Sequence, residues 1–376
     1  TTATTALAET EFPIEAASHL GGHIVVRRLR DVAAEVSVYS ESFDLVRTVA
    51  LPGIGSAGGF AGTPDDAETF YAFTSFNRPA TLYRHDVGTG VSTLFRAPEL
   101  TFDPEDFVVE QVFFASTGGA QVPMFIVHRA DVTPALNAPH PTLLYGYGGF
   151  GISLTPGFSV TRLAWLEMGG VLAVANLRGG AEYGRAWHDA GRLQQKQNVF
   201  DDFIAAAEHL IDNDWASPET LAIQGGSNGG LLVGAVANQR PELFAAALPA
   251  VGVMDMLRFD EFTAGRFWVD DYGSPDDPEM FDVLRAYSPL HNIPITEVYP
   301  AMMVTTADTD DRVVPGHSFK FAAALQRSET GIAPKLIRIE TRAGHGAGTP
   351  ISKIVNETAD EWAFIAHHTG LRLADE

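Results

Sequence analysis

Gly225-Gly226-Ser227-Asn228-Gly229 carries the G-x-S-x-G spacing that sets a serine on a sharp turn between a strand and a helix. The flanks supply both elements: Leu221-Ala222-Ile223 reads as a buried strand, and an apolar helix follows from near Gly230. Glycines on either side of the serine let the two elements approach closely around a strained backbone. A helix N-terminus there aims free N–H groups at developing negative charge, which makes the Asn228 N–H an oxyanion donor. The chemistry is nucleophilic acyl transfer.

A serine nucleophile needs a base, and on a strand–turn–helix scaffold the order is serine, then Asp or Glu, then His. Downstream of Ser227 stand His291, His317, His345, His367 and His368. Only His345 lies in a Gly-rich loop directly after a strand, in Ala343-Gly344-His345-Gly346-Ala347-Gly348. Loops at the carboxyl ends of parallel strands are where doubly wound proteins place chemistry. His345 is the expected base, and the other four read as surface or helix histidines. The acid should end the preceding strand, Ala301 to Thr306, where Asp308, Asp310 and Asp311 compete. Periodicity does not choose among the three, because Asp is common in turns as a local backbone acceptor.

Two textures position these residues. Up to about His128 the chain reads as short alternating strands in two antiparallel sets, at 23–28, 35–39 and 45–49, then 69–73, 80–84 and 91–95. Such spacing suggests a sandwich, a barrel or propeller blades. From about Pro139 strands alternate with helices. Val171-Leu172-Ala173-Val174-Ala175 is a continuous apolar run, as in a parallel strand covered on both faces. Asp201 or Asp202 is expected to cap a helix burying Phe203, Ala207, Leu210 and Ile211. A last helix from about Ser352 to His367 has Ile354, Trp362 and Ile365 as core candidates. This βαβ alternation implies an α/β protein with a doubly wound, mostly parallel sheet.

Composition narrows the classes. The 376 residues carry 25 Lys plus Arg against 47 Asp plus Glu, a formal charge of −22. Such acidity repels phosphate backbones, so nucleic acid is not an expected partner, and no apolar run is long enough to span a bilayer. Cysteine is absent, which removes thiolate nucleophiles and Cys-based metal sites. No HExxH occurs and the histidines do not cluster at ligand spacing, so neither a metal nor a cofactor is expected. The start, Thr1-Thr2-Ala3-Thr4-Thr5, has neither a basic nor an apolar targeting region. The chain is thus expected to be processed, trimmed or incomplete, with any targeting signal out of view, and the compartment expected is the cytoplasm or a bacterial periplasm.

At these residues the sequence resembles the prolyl oligopeptidase family of serine peptidases. The matched stretches are Tyr145-Gly146-Tyr147-Gly148-Gly149-Phe150, Gly225 to Gly230, and Val251-Gly252-Val253-Met254-Asp255-Met256. Trp268 with Asp271-Tyr272-Gly273, then Asp310-Asp311-Arg312-Val313-Val314-Pro315, then Gly344 to Gly348 complete the set in the same order. The resemblance implies an α/β-hydrolase catalytic domain at 131–376, preceded at 1–130 by the C-terminal blades of an incomplete β-propeller. It implies Ser227, Asp310 and His345 as the triad and Tyr147 as second oxyanion donor beside Asn228. Trp268 would stack on a proline ring, with Phe150, Val253, Tyr272 and Val313 completing an apolar pocket. Arg312 would hydrogen-bond a substrate carbonyl preceding the proline. No carboxylate stands among those positions to pair with Arg or Lys, which argues against the branch that cuts after basic residues.

The implied activity is a serine endopeptidase cutting short proline-containing peptides, monomeric when full length. Competing readings are a related esterase or oligopeptidase on the same scaffold, and a truncated noncatalytic fragment. The family's propeller is seven-bladed, so the chain is expected to be a C-terminal piece of a longer protein. Two blades alone would expose apolar faces that neighbouring blades bury.

Overall fold

The structure, a computed structural model, describes residues 7–135, 138–346 and 348–372. Residues 1–6 and Ala347, on which parts of the sequence reading fall, lie outside the described residues.

Two small antiparallel sheets come first. β1 (Ile14–Leu20), β2 (His23–Arg30), β3 (Ala33–Tyr39) and β4 (Leu45–Thr48) pair in chain order. β5 (Ser56–Gly59), β6 (Glu68–Ser75), β7 (Arg78–Asp86) and β8 (Ser92–Arg96) form the second sheet, again in chain order. The six strands expected from alternation are all present, each with its neighbours. β1 and β5 were not anticipated: Ile14-Glu-Ala-Ala-Ser-His-Leu20 lacks alternation, and Ser56-Ala-Gly-Gly59 lacks side chains to alternate. Val25, Val36, Val38, Phe60, Tyr71 and Phe73 make one core between the sheets. Their far sides are apolar and open: Leu45, Leu94 and Phe95 are 59–63% exposed.

A mixed eight-stranded sheet follows, from β9 (Phe107–Ala115), β10 (Gln121–Arg129), β11 (Thr142–Tyr145), β12 (Val171–Ala175), β13 (Leu221–Gly226), β14 (Ala246–Ala250), β15 (Ala301–Ala307) and β16 (Lys335–Glu340). Their spatial order is β16-β15-β14-β13-β11-β12-β10-β9. The β9–β10 and β10–β12 pairs are antiparallel, and every other neighbour pair is parallel. The sheet thus recruits the hairpin at 107–129, ahead of the texture change near 130. Alternation marks a hairpin but cannot say which sheet receives it.

Among the described residues eight α-helices accompany the sheet: α1 (Val160–Glu167), α2 (Arg185–Asp189), α3 (Gln197–Asp212), α4 (Asn228–Gln239), α5 (Val269–Tyr272), α6 (Pro278–Tyr287), α7 (Gly316–Arg327) and α8 (Ile351–Thr369). Within β12, Ala173 and Ala175 face the core of α3 and α4, whereas Leu172 and Val174 face that of α1 and α8. Burial on both faces explains the continuous apolar run. On the α1–α8 side, Trp165 and Trp362 lie with ring centroids 5.7 Å apart. Trp362 and Ile365 are buried as expected, but Ile354 is 40% exposed, and its neighbours on the first turns of α8, Ile351 and Val355, are exposed too. This is an α/β-hydrolase domain joined to propeller-like sheets. Val32 and Phe76 from the blades pack into the α1–α8 core, and Tyr183 donates to Asp31 across the join.

α3 corrects the capping expectation. It starts at Gln197, and Asp202, fully buried inside it, binds the Arg178 guanidinium and accepts from the Arg178 N–H at 3.0 Å. An Asp spaced like a cap is here an interior partner for a buried cation.

The loop after β12 holds an unusual carboxyl. Glu182, 1% exposed, accepts from Leu154 N at 3.0 Å and from Asn176 Nδ2 at 3.4 Å, while its Oε2 has no partner among the described residues. Burial first, against these hydrogen bonds, pushes its pKa up to about 7. The folded state therefore binds a proton that the unfolded state releases near the usual 4.5, and stability falls as pH rises through that window. Glu182→Gln mimics the neutral form. It should leave stability unchanged at pH about 4 and raise it above pH 7 by up to about 3 kcal/mol. Urea denaturation at the two pH values checks this; an equal gain at both would contradict it.

Candidate active site

The elbow is built by close contact. Ser227 follows β13 and precedes α4 with φ 58° and ψ −117°, a left-handed conformation costing roughly 1–3 kcal/mol for a non-glycine residue. The surroundings hold it there: Ser227 N donates to Ala250 O at 2.9 Å, and Ser227 O accepts from Gly230 N at 2.9 Å. A Cβ on Gly225 would lie 2.4 Å from Gly229 O, and one on Gly230 would lie 2.6 Å from Ala250 O. These two positions exclude any side chain. Phe150 (φ 56°) and Val251 (φ 41°) are also left-handed, so backbone strain gathers around this serine.

Asp310 and His345 stand together on the loops after β15 and β16. His345 Nδ1 lies 2.6 Å from Asp310 Oδ2. Asp310 Oδ1 accepts from Arg312 N at 3.0 Å and Val313 N at 2.9 Å, and the carboxylate is fully buried. The structure thereby separates the three aspartates. Asp311 is exposed, and Asp308 accepts only from the backbone of Ala343 at 3.4 Å. Among the described residues no hydrogen bond joins the Ser227 hydroxyl to the His345 imidazole; such bonds often tighten only in the substrate complex.

Ser227 opens onto a cleft of about 290 Å³ lined by Tyr147, Phe150, Val253, Trp268, Tyr272 and Arg312, with Ile152 and Ala264 at its edge. Trp268 and Phe150 both meet Tyr272 edge-on, at 89° and 86°, which fixes the aromatic walls. Val313, expected in this wall, is 1% exposed and packs into the core beneath it. Arg312 is exposed on the rim and makes no ion pair among the described residues, so the pairing with nearby aspartates that would make it structural is absent. Burial first raises the Tyr147 phenol pKa, and the Tyr145 and Asp271 charges add, against the pull of Ser227 and Arg312. A phenol held protonated can donate to an oxyanion.

Behind the cleft lie groups that the sequence did not reveal. Lys196, 1% exposed at the start of α3, donates to Gly148 O at 2.9 Å and Asn228 Oδ1 at 3.1 Å. Asp271 Oδ2 accepts from Phe150 N at 3.1 Å and lies 2.7 Å from His188 Nε2. A lone lysine in Gln194-Gln195-Lys196-Gln197 gives no sign that it is buried. His317, read as a surface or helix histidine, is buried on α7 and accepts from Asp255 N through Nδ1 at 3.1 Å. Burial lowers its pKa to about 4, so it remains neutral.

The model of the prolyl oligopeptidase family matches residues 156–372, and that of the prolyl oligopeptidase N-terminal beta-propeller domain matches 3–98. A prolyl endopeptidase of Elizabethkingia miricola is 47% identical over 367 residues, 97% of this chain and 52% of the relative. The chain spans about half the length of the curated relatives it matches. A solved prolyl endopeptidase structure aligns with a TM-score of 0.90 at 54% identity, covering 99% of this chain and 53% of that one. Oligopeptidase B from Leishmania major aligns at 0.86 and 28% identity, over 97% of this chain and 53% of its own. With one family model covering more than half of its residues, and the serine, aspartate and histidine loops at the carboxyl edge of the expected sheet, the chain belongs to the prolyl oligopeptidase family.

Proposed function

We propose that this chain carries the catalytic machinery of a serine endopeptidase that cuts short peptides on the carboxyl side of proline. One observation carries the reading: Ser227 shares its cleft with the Trp268 indole, the three further aromatic rings of Tyr147, Phe150 and Tyr272, and Val253, and no lining residue is acidic. Proline's ring is apolar and flat, and an indole face gives it contact area without demanding a donor. A basic side chain would find no counter-charge there.

The reaction is acyl transfer to water. His345 takes the proton from Ser227 as Oγ bonds to the proline carbonyl carbon, and Asp310 stabilises the imidazolium. The Asn228 N–H and the Tyr147 hydroxyl receive the oxyanion; loss of one such donor typically costs about 10²–10³ in rate. The C–N bond breaks as His345 returns its proton to the leaving amine. Water then repeats the sequence on the acyl-enzyme. Arg312, on the rim, binds a carbonyl of the preceding residue, and Trp268 stacks on the proline ring.

A chromogenic peptide ending in Gly-Pro, the matching Gly-Arg peptide and a simple ester should separate the alternatives. The prolyl peptide is expected to turn over at least about 100-fold faster, by kcat/KM, than the arginyl one, a difference of about 3 kcal/mol in transition-state binding. Comparable rates on both peptides, or turnover of the ester alone, would reject the assignment.

A further inference from the structure

The oxyanion donors sit on two separate segments, the loop 146–151 and the elbow at 227–228, and nothing in the triad fixes their spacing. The buried groups behind them do. Asn228 presents its N–H at the elbow, but its side chain turns inward and is 1% exposed. Its Nδ2 donates to the Tyr147 carbonyl, and its Oδ1 accepts from both Lys196 Nζ at 3.1 Å and the Tyr272 hydroxyl at 2.9 Å. Lys196 Nζ also donates to Gly148 O at 2.9 Å. The consecutive carbonyls of Tyr147 and Gly148 are therefore both captured from behind, at a left-handed Gly148 of φ 61°.

We infer that Lys196 is a positioning residue which, through the Asn228 side chain and the Gly148 carbonyl, sets the distance between the two oxyanion donors and places a positive charge behind them. This rests on the peptidase reading only for the identity of the peptide substrate. The arrangement is costly as a purely structural device. An ammonium without a carboxylate within ion-pair distance, among the described residues, is buried where an apolar side chain would pack more cheaply. Burial lowers its pKa to about 8, with the Asp271 charge opposing. The groups facing it are Asp271, itself paired with His188, the Tyr272 ring at 5.4 Å from Nζ, and the Asn228 amide. At neutral pH the site therefore holds a charge that strengthens donors aimed at an oxyanion in a low-dielectric setting.

The test reads oxyanion stabilisation separately from peptide specificity. Phosphonylation of Ser227 by a fluorophosphonate develops the same kind of negative oxygen and needs no proline. Lys196→Met should slow this labelling, and lower kcat on the prolyl peptide, by about 10–100-fold, less than outright loss of a donor. KM should stay within about threefold, because the lost interaction is made in the transition state. Labelling of the wild-type chain should decline a few-fold above pH about 8 as the ammonium discharges, and Lys196→Met should lack that limb. Asn228→Ala keeps the backbone N–H and cuts the same brace, so it should reproduce the loss even where the lysine variant does not fold. In that background Lys196→Met should add less than about threefold, since coupled groups do not add. Labelling and kcat of folded Asn228→Ala within about threefold of wild type would overturn the inference, as would a loss confined to KM or to melting temperature. Normal labelling by the wild type without prolyl turnover would instead count against the proposed substrate and leave the brace measurable.

Discussion

Ser227→Ala removes turnover of the prolyl peptide by about 10⁵–10⁶ and abolishes fluorophosphonate labelling, with the fold intact. The fold survives because the elbow is held by groups the substitution keeps. Ser227 N still donates to Ala250 O, its carbonyl still accepts from Gly230 N, and the contacts around Gly225 and Gly230 are backbone contacts. Alanine suffers the same left-handed penalty as serine at φ 58°, so melting should move by no more than a few degrees. What vanishes is the only atom that can form the acyl bond. The oxyanion donors and the aromatic cleft remain, which leaves a residual acceleration over water. Steady-state rates and intact-protein mass after the probe are the measurements. A variant that keeps even a hundredth of wild-type turnover would place the nucleophile elsewhere.

The serine turn was legible because its composition is demanded by backbone geometry, whereas around His345 only Gly346 and Gly348 take positive φ and no glycine there is crowded. Gly225, Gly229 and Gly230 are required by approach distances that no Cβ tolerates, so the spacing survives as a written pattern. The acid was not legible from periodicity: three aspartates in one turn differ only in where their side chains end, and family resemblance rather than pattern singled out Asp310. Burial produced the other surprises. Lys196 and Asp202 are charged residues in the interior, and sequence gives a charge the exterior by default. His317, expected on the surface or on a helix, does lie on α7, but with its side chain buried. Val313 shows the converse limit, since an apolar residue near a cleft can face either the cleft or the core. The strands at 14–20 and 56–59 were missed because edge pairing needs no alternation when a neighbouring strand supplies the hydrogen bonds.

Asp310→Asn should cost about 10⁴ in kcat while disturbing the loop little, and the reason lies in the carboxylate's other oxygen. Asp310 Oδ1 accepts two backbone N–H groups, from Arg312 at 3.0 Å and Val313 at 2.9 Å, while Oδ2 faces His345 Nδ1 at 2.6 Å. An asparagine has a single acceptor to divide between these sides. If its oxygen stays with the two N–H groups, its NH₂ points at Nδ1. The imidazole must then accept there and carry its proton on Nε2, where it can no longer take one from Ser227. If the amide flips, NH₂ meets two N–H donors in a buried site, and each unsatisfied group costs about 1–3 kcal/mol. The first arrangement wins, so the base is held in its unreactive tautomer. Asp311→Asn, at an exposed neighbour outside this network, should stay within about twofold of wild type. Steady-state kinetics of the two variants, with melting curves to show that both are folded, discriminate. An Asp310→Asn enzyme retaining a tenth of wild-type kcat, or an Asp311→Asn enzyme losing as much as Asp310→Asn, would mean that the imidazole takes its orientation from another group.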